Sequence, residues 1–382
     1  MRVVANPAVL APIGGVEMST LQVNRELAKR GHSISALFQE AGSLSPQWQV
    51  FAEEMVRVPT FDFTKSTAAR DLYRLRPAVR AAAAAAPDVI YLNRAEQSVW
   101  GLLAGRASRA PLVTHLRNLP DFPGVGIVGR LTGAFIAISG FVRDQWIQAG
   151  LRPEDVTLVH NGIDPADYPV GGSAERAAAR AALDLSPDAY VVLYYGRVAP
   201  GKGVEVLLDA WRALALPLEH ATLLIAGGAD DGEGHFLRSL QDGQPPGCRW
   251  LPVQRDVVSL LHAADVVTLP AEWQEPFGRV VIEGLASGRP VVGTTVGGIP
   301  EILTGEFRSL LVEPGDRRGL AARLGSLHQW RTLDPGHGVR CSRHALGKFS
   351  LTATVDGVEG VLRAAVTARN QADRRSPAPP ET

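Results

Sequence analysis

A glycine-rich segment at residues 195–203, Tyr-Gly-Arg-Val-Ala-Pro-Gly-Lys-Gly, places two cations where a ligand could reach them. It follows an apolar run and precedes a predicted helix near Val204, so we expect it at the carboxyl end of a strand. Arg197 and Lys202 are five positions apart. They could clamp two phosphates, one through a planar guanidinium fork and one through a point charge. The alternative is an exposed loop, although only four lysines occur in the chain and one falls here.

Two glutamates flank a second loop, which contains Pro276, Phe277 and Gly278. Glu275 and Glu283 are eight positions apart, slightly more than two helical turns. A glutamate just before a helix and another two turns into it could both face a ligand at the helix N-terminus. The loop between them offers free amides beside a carboxylate, a means of holding sugar hydroxyls and phosphate together. The spacing of Glu275 and Glu283 by itself is also explained by two carboxylates on the protein surface.

A glycine pair, Gly14-Gly15, lies between the first predicted strand and the helix that follows it. Backbone N–H groups and the helix dipole could receive a phosphate at this position. The pair does not complete a GxGxxG motif, and the acidic residue nearest the end of the second strand is Glu40. The sequence therefore disfavours a nicotinamide-dependent dehydrogenase, and a plain turn is the alternative for the glycines.

These loops require strands and helices that alternate, and the chain shows that alternation twice. A stretch rich in proline and glycine around residues 165–187 separates the halves, after which the strand pattern restarts. We expect an α/β fold with two doubly wound parallel-sheet domains, at 1–170 and 171–365, and a tail without structure at 366–382. The predicted strands are 2–5, 33–38, 88–92, 111–115 and 134–138 in the first half, and 190–195, 222–226, 266–269, 291–293 and 310–312 in the second.

Composition excludes several classes of protein. The 382 residues carry 39 basic and 39 acidic side chains, so no net positive charge favours nucleic-acid binding. Cys248 and Cys341 lack the spacing of a zinc site or a disulfide framework, which fits a reducing cytoplasm. No signal-peptide core and no apolar stretch of transmembrane length is present. We therefore expect a cytoplasmic location.

One region departs from this neutral balance. Residues 57–130 contain 11 basic and 5 acidic side chains. A solvated surface in an arginine-rich chain explains this excess most simply. A peripheral contact with a membrane surface or an acidic acceptor stays open.

Taken in order, the motifs resemble those of the retaining GT-B glycosyltransferases of family four, also called glycosyl transferases group one. Such enzymes move a sugar from a nucleoside diphosphate donor to an acceptor. The resemblance implies two Rossmann-like domains that face a central cleft, and usually a C-terminal helix that crosses back to the first domain. It rests, besides Gly14-Gly15, on residues 30–32, 159–164, 196–197 with 202–203, 264–266, 275–278 and 297–298.

The resemblance also implies roles for individual residues. Arg197 and Lys202 would hold the donor diphosphate, and Glu283 would accept hydrogen bonds from the ribose hydroxyls. Glu275 would bind the transferred sugar with help from the amides of Phe277 and Gly278. Gly15 would meet the phosphate from the first domain.

His115 ends a predicted strand and matches a family histidine that lies beside the reacting sugar. A lone histidine at a strand end is otherwise more often structural. The predicted catalytic set is therefore His115, Arg197, Lys202 and Glu275, and the predicted donor-binding set is Gly14, Gly15, Gly196, Arg197, Lys202, Pro276, Phe277, Gly278 and Glu283.

The predicted function is a retaining glycosyltransferase that uses a nucleoside diphosphate sugar as co-substrate and no further cofactor. No Asp-x-Asp triplet occurs and two cations neutralise the diphosphate, so we expect no metal requirement. The acceptor would offer a hydroxyl group on a natural product, a glycan or lipid-linked intermediate, or a sugar phosphate. An epimerase-like GT-B relative and a catalytically silent sugar-nucleotide-binding subunit are the alternatives. One departure from the family pattern is Gly284, where an alanine is usual, and it would loosen that helix by up to about 1 kcal/mol.

Overall fold

The computed structural model describes residues 1–12, 14–122, 125–214, 220–230 and 232–375. It divides into two compact units. The first unit contains Met1–Asn161 and the chain from Leu351 onward, and the second contains Gly162–Ser350.

The first unit is built on a seven-stranded sheet in the order β3-β2-β1-β4-β5-β6-β7, with every neighbouring pair parallel. The strand order reverses between β1 and β4, and open parallel sheets bind ligands at the carboxyl ends of the strands at such a point. The strands are β1 Arg2–Val9, β2 Ser33–Glu40, β3 Glu54–Arg57, β4 Val89–Leu92, β5 Leu112–Leu116, β6 Ala134–Ala137 and β7 Val156–Leu158. The helices are α1 Gly15–Lys29, α2 Ser45–Gln49, α3 Ala68–Ala84, α4 Ser98–Ser108, α5 Val125–Leu131, α6 Gly140–Gln148 and α16 Leu351–Arg375.

Two apolar clusters cover the faces of this sheet. Because successive side chains of a strand point to opposite faces, Val3 belongs to one cluster and Val4 to the other. Residues of α1 and α16, including Leu27 and Val358, complete the first cluster. Residues of α3 and α4, including Leu75, complete the second. The first unit is thus a sheet with helices on both faces.

The second unit repeats this architecture with six parallel strands in the order β10-β9-β8-β11-β12-β13. The order reverses between β8 and β11, so the loops after these two strands flank the expected ligand crevice. The strands are β8 Tyr190–Tyr195, β9 Ala221–Ala226, β10 Cys248–Leu251, β11 Val266–Leu269, β12 Val291–Thr294 and β13 Leu311–Val312. The helices are α7 Ser173–Ala182, α8 Val204–Arg212, α9 Gly234–Asp242, α10 Val257–Ala263, α11 Arg279–Ala286, α12 Ile299–Ile302, α13 Arg317–Ser326, α14 Trp330–Leu333 and α15 His337–Lys348.

The predicted fold class is confirmed: both units are doubly wound α/β layers with parallel sheets. Three strands escaped prediction, namely β3, β7 and β10, and all three lie at sheet edges. Edge strands bury less apolar surface, and β3 and β10 contain no fully buried residue. Their hydrophobic pattern is therefore weak.

The C-terminal segment differs from the sequence prediction. The tail expected from residue 366 is helical as far as Arg375, because α16 runs from Leu351 to Arg375. Leu351, Val355 and Leu362 are buried in the first unit, and Val366 packs against the same cluster. The helix therefore continues where the apolar contact continues. Residues 376–382 lie outside the described residues.

Candidate functional site

The loops after β8 and β11 lie against each other in the second unit. The backbone N–H groups of Glu272 and Trp273 donate to the carbonyl of Gly201, at 2.8 and 3.1 Å. Gly203 has a φ of +75°, and a Cβ atom there would lie 1.8 Å from the carbonyl oxygen of Pro270. Glycine is required at 203 because no side chain fits between the two loops.

Lys202 and Glu275 meet across this loop contact. The Lys202 Nζ donates to Oε2 of Glu275 at 2.7 Å. Both side chains are more than four-fifths buried, with 17% and 16% of their surface exposed. The structure thus brings together two residues that the sequence analysis assigned to different motifs.

Arg197 lies on the same loop and shares an aromatic neighbour with Lys202. The ring of Trp273 is 5.5 Å from the guanidinium carbon of Arg197 and 5.2 Å from the Lys202 Nζ. Both distances suit a cation–π contact. Arg197 also donates to Oδ2 of Asp230 at 2.6 Å, in the loop after β9. One indole and two carboxylates therefore hold both cations.

The Glu275-Pro-Phe-Gly278 loop ends at the start of α11. Gly278, the N-cap residue, has a φ of +94°, in the left-handed region that favours glycine. Phe277 is buried and packs edge to face on Phe349. The carbonyl of Glu275 accepts a hydrogen bond from the backbone of Gly298 at 2.9 Å. These contacts fix the backbone that carries the Glu275 carboxylate.

Glu283 lies inside α11 at the end of β8. Its Oε2 accepts from the hydroxyl of Tyr195 at 2.8 Å, and its Oε1 accepts from Nε of Arg279 at 3.0 Å. Tyr168 hydrogen-bonds to the same pair. Burial, with the Glu283 charge next, raises the pKa of Tyr195 well above its ordinary value, so this hydroxyl stays a donor. Glu283 is consequently a buried carboxylate with a fixed orientation.

In the first unit, Gly14 and Gly15 lie at the start of α1. Gly14 is the N-cap residue with an extended backbone, and Gly15 is the first helical residue. Glu17, in the first turn, is buried and accepts from the Arg94 guanidinium at 2.5 Å. The glycine pair therefore occupies the predicted strand-to-helix turn, beside a carboxylate that is paired with Arg94. Ile13, which precedes it, lies outside the described residues.

His115 is fully buried in β5, with its Nδ1 2.6 Å from the hydroxyl of Tyr91. Burial, and then the charge of Arg117, hold the pKa of His115 well below its ordinary value, so the ring is neutral. Burial also raises the pKa of Tyr91 to about 12. Among the described residues, the His115 Nε2 has no hydrogen-bond partner.

Amide side chains surround Arg117, which lies two residues after His115. Its guanidinium donates to Oδ1 of Asn93 at 3.2 Å and to Oδ1 of Asn161 at 3.4 Å. The backbone of Asn93 donates in turn to Oδ1 of Asn6 at 2.9 Å. All of these residues are buried. A buried polar cluster therefore lies at the carboxyl ends of β1, β4 and β5, where the strand order reverses.

Sequence reasoning missed several of these neighbours. Trp273 lies two positions before Glu275, and an aromatic residue so close to a predicted sugar ligand is a signal that the sequence contains. Asp230 follows a predicted strand that neighbours β8, which is also a readable signal. Tyr168 is 115 positions before Glu283, so only the tertiary fold brings them together.

Metal-binding clusters and membrane-spanning helices are both absent from the described residues. No three His, Cys, Asp or Glu side chains there are grouped so that they could hold a metal ion. No helix in the same ranges is long and apolar enough to cross a bilayer. Metal independence stays a prediction.

Two family models match this chain in sequence. Residues 13–167 match the Glycosyltransferase Family 4 model, and residues 189–329 match the model of Glycosyl transferases group 1. Both descriptions are those of the predicted resemblance. The first match lies almost wholly in the first unit and the second lies in the second unit.

Curated relatives agree with these models. The D-inositol 3-phosphate glycosyltransferase of Saccharomonospora viridis is 35% identical over 230 residues, which cover 56% of this chain and 52% of that protein. The D-inositol 3-phosphate glycosyltransferase of Acidothermus cellulolyticus is 28% identical over 406 residues, which cover 94% and 87% of the two chains. The chain thus spans about half the length of several curated relatives that it matches.

Solved structures share the fold. Anabaena Alr3699/HepE, in complex with UDP and glucose, superposes with a TM-score of 0.82 at 23% identity, covering 95% of this chain and all of the other. WaaG, a glycosyltransferase involved in lipopolysaccharide biosynthesis, superposes with a TM-score of 0.70 at 17% identity, covering 94% and 99%. These likenesses establish the GT-B fold.

Proposed function

Because the chain belongs to the family-four, group 1 glycosyltransferases, we propose that it transfers a sugar from a nucleoside diphosphate sugar to a hydroxyl group of an acceptor. The observation that carries the proposal is the cluster of Arg197, Lys202 and Glu275 around Trp273. It combines two cations for a diphosphate with one carboxylate for sugar hydroxyls. It also lies where the strand order of the second unit reverses, the usual ligand position in such sheets.

In the proposed donor complex, the diphosphate lies between Arg197 and Lys202. Both cations are paired with carboxylates in the structure, Arg197 with Asp230 and Lys202 with Glu275. The donor would exchange these contacts for phosphate oxygens, which releases Glu275 to accept hydrogen bonds from the sugar. A Cβ atom at Gly196 would meet no protein atom within 4 Å, so this side of the backbone is open. With no side chain there, the ligand could come close to the backbone.

Glu283 is the proposed ligand of the ribose hydroxyls. The carboxylate already accepts from Tyr195 and Arg279, and Tyr168 hydrogen-bonds both to this carboxylate and to Arg279. A carboxylate has about four lone-pair sites, so one is left for a ribose hydroxyl. Arg279 also places a positive charge beside this carboxylate. These neighbours position Glu283 before the donor arrives.

In the proposed reaction, the bond between the anomeric carbon and the diphosphate oxygen breaks, and a bond to the acceptor oxygen forms on the same face. The electron pair of the broken bond stays on the diphosphate, where Arg197, Lys202 and the amides at Gly278 stabilise the charge. The acceptor proton passes to a phosphate oxygen. The configuration is therefore retained, and no metal ion or further cofactor is needed.

We propose that the acceptor binds to the first unit and that Gly14 and Gly15 contact the donor. His115 would act as a neutral hydrogen-bonding group. If Tyr91 donates to its Nδ1, the ring presents an N–H at Nε2, the atom without a partner among the described residues. His115 would then stabilise the reacting sugar by a hydrogen bond rather than by a charge.

The names of the relatives guide the choice of acceptor. Because several are D-inositol 3-phosphate glycosyltransferases, we propose a phosphorylated polyol as the first acceptor class to test. UDP sugars are the first donors to test, since Anabaena Alr3699/HepE was solved with UDP and with UDP-glucose. We place the reaction in the cytoplasm, in keeping with two free cysteines.

The test is calorimetry and thermal unfolding with UDP, GDP, ADP and dTDP sugars, each with and without a chelator. A donor that binds the folded protein raises the unfolding temperature through linkage. We expect one nucleotide to bind regardless of chelator. Anomeric proton couplings of the product, with inositol phosphate as acceptor, then report retention. Donor binding without transfer to any acceptor would favour a silent binding subunit, and donor isomerisation would favour an epimerase.

A further inference from the structure

Helix α3 exposes a basic face that the proposed reaction does not use. The helix runs from Ala68 to Ala84, about 25 Å at 1.5 Å per residue. Its buried positions are Asp71, Leu75, Ala78 and Ala82. Its exposed positions include four arginines, at 70, 74, 76 and 80. Asp71, the one acidic residue of the helix, faces inward and accepts from Thr67 and Arg70.

Three exposed arginines of α3 differ from the paired arginines 143, 152 and 369 of the same unit. Arg143, Arg152 and Arg369 each lie within hydrogen-bond distance of a carboxylate, at 2.8, 2.7 and 3.1 Å. In the described part of the chain, Arg74, Arg76 and Arg80 have no carboxylate partner within 4.0 Å, and neither has Lys65, just before the helix. Arg76 and Arg80 are four residues apart, so they repel each other. An external anion would relieve this repulsion.

Two large apolar side chains lie among these cations. Tyr73 is 67% exposed and Leu72 is 42% exposed. The guanidinium carbon of Arg76 lies 5.1 Å from the Tyr73 ring, and Arg80 is seven positions after Tyr73 on the same side of the helix. The face therefore offers aromatic and aliphatic surface surrounded by positive charge.

We propose that this face of α3, defined by Arg74, Arg76, Arg80, Leu72 and Tyr73, binds the surface of an anionic lipid bilayer. Anionic headgroups would neutralise the arginines, and Leu72 and Tyr73 would enter the boundary between headgroups and acyl chains. The bilayer fits better than a nucleic acid because the exposed leucine gains nothing from a phosphate backbone. The contact would hold a chain without net charge at a membrane through one local patch.

The test is co-sedimentation of the full chain with vesicles of phosphatidylcholine, with and without phosphatidylglycerol, at low and high salt. We expect binding that requires the anionic lipid and weakens with salt. The triple variant R74E/R76E/R80E should lower the partition coefficient by on the order of 100-fold, since each arginine contributes roughly fivefold near an anionic surface. The L72S/Y73S variant should lower the partition coefficient by about tenfold at either salt concentration, because it removes apolar surface rather than charge.

The matched control is R143E/R152E/R369E, which makes the same change in net charge on paired arginines of the same unit. We expect it to bind vesicles like the unchanged protein. Circular dichroism and thermal unfolding verify that every variant is folded. Calorimetric nucleotide binding by the second unit, which contains none of these substitutions, separates this proposal from the donor site. The proposal is overturned if the unchanged protein ignores anionic vesicles, if both triple variants lose binding equally, or if an oligonucleotide competes the vesicles away.

Discussion

At the scale of single residues, the candidate donor site is electrostatically balanced before any ligand binds. Lys202 is paired with Glu275 and Arg197 with Asp230. A diphosphate must therefore exchange partners with two carboxylates. The Lys202–Glu275 pair is the stronger of the two interactions, because solvent screens the more exposed charges of Arg197 and Asp230.

Lys202→Ala is expected to lower donor turnover by about 100-fold, the usual loss when one donor to a developing anion is removed. The measurement is the steady-state rate with the donor that the binding panel identifies. Lys29→Ala is the control, because Lys29 is an exposed lysine paired with Glu26 on α1. Near-normal turnover by the Lys202 variant would remove this residue from the catalytic set.

His115 gives the free energy of unfolding a predictable dependence on pH. Its pKa in the folded protein is lowered, while the unfolded chain takes up this proton near a pKa of about 6.5. Protonation therefore stabilises the unfolded state, and stability is lost as the pH falls below that value. In His115→Gln this contribution is absent.

As the pH is lowered, we expect the free energy of unfolding to fall more steeply in the unchanged protein than in His115→Gln. The difference in slope is up to about 1.4 kcal/mol per pH unit. Denaturant unfolding of both proteins at a series of pH values between about 5 and 8 measures the difference. His337, whose pKa is also lowered, contributes equally to both curves. Parallel curves would show that His115 does take up a proton in the folded protein.

At the scale of elements, glycines set how closely the loops and strands of the second unit approach. Gly284 illustrates this in α11, where the family usually has alanine. A Cβ atom there would lie 2.7 Å from Cγ2 of Val291 and 3.3 Å from Val267. The expected loosening of the helix is thus accompanied by close packing of α11 on β11 and β12.

Gly203→Ala tests the contact between the loops after β8 and β11. The new Cβ would lie 1.8 Å from a backbone carbonyl, so we expect a loss of at least about 3 kcal/mol in stability and weakened donor binding. Gly305→Ala is the matched control, with a φ of +62° and no atom within 4 Å. In Gly305→Ala only backbone strain lowers the stability, by about 1 to 2 kcal/mol. Equal losses would show that the loop contact is unimportant.

At the scale of the whole molecule, α16 decides where the first unit ends. The helix follows the second unit in sequence, yet Leu351, Val355, Val358 and Leu362 are buried in the first unit's core. Glu359 adds polar contacts to Arg30 and His32 of the α1–β2 turn. Side-chain hydrogen bonds, that to Arg30 foremost, lower the pKa of Glu359 to about 2. The first unit therefore depends on the last described helix.

Leu362→Ala is expected to destabilise the first unit by about 2 to 4 kcal/mol, because it leaves a cavity in that core. Hydrogen–deuterium exchange resolved to peptides should be accelerated by the substitution more in β1, β4 and α1 than in the second unit. Exposed Thr367 provides the control, since its replacement by alanine should change stability by no more than about 0.5 kcal/mol. Uniform acceleration in both units would show that they unfold as one cooperative body.

Sequence patterns alone predict the fold class, the family and the loops that carry the charged residues. Periodic apolar runs predict central strands, and glycine at a turn marks backbone that other residues avoid, so both signals are local. The contacts of these charged residues are visible only in the folded chain: Trp273 lies beside two cations, Asp230 pairs with Arg197, and Tyr168 lies near Glu283. Two further features were not predicted: residues 366–375 belong to α16, and β3, β7 and β10 form edge strands. These features depend on contacts between residues far apart in the chain or on weakly buried strands, and neither leaves a periodic pattern in the sequence.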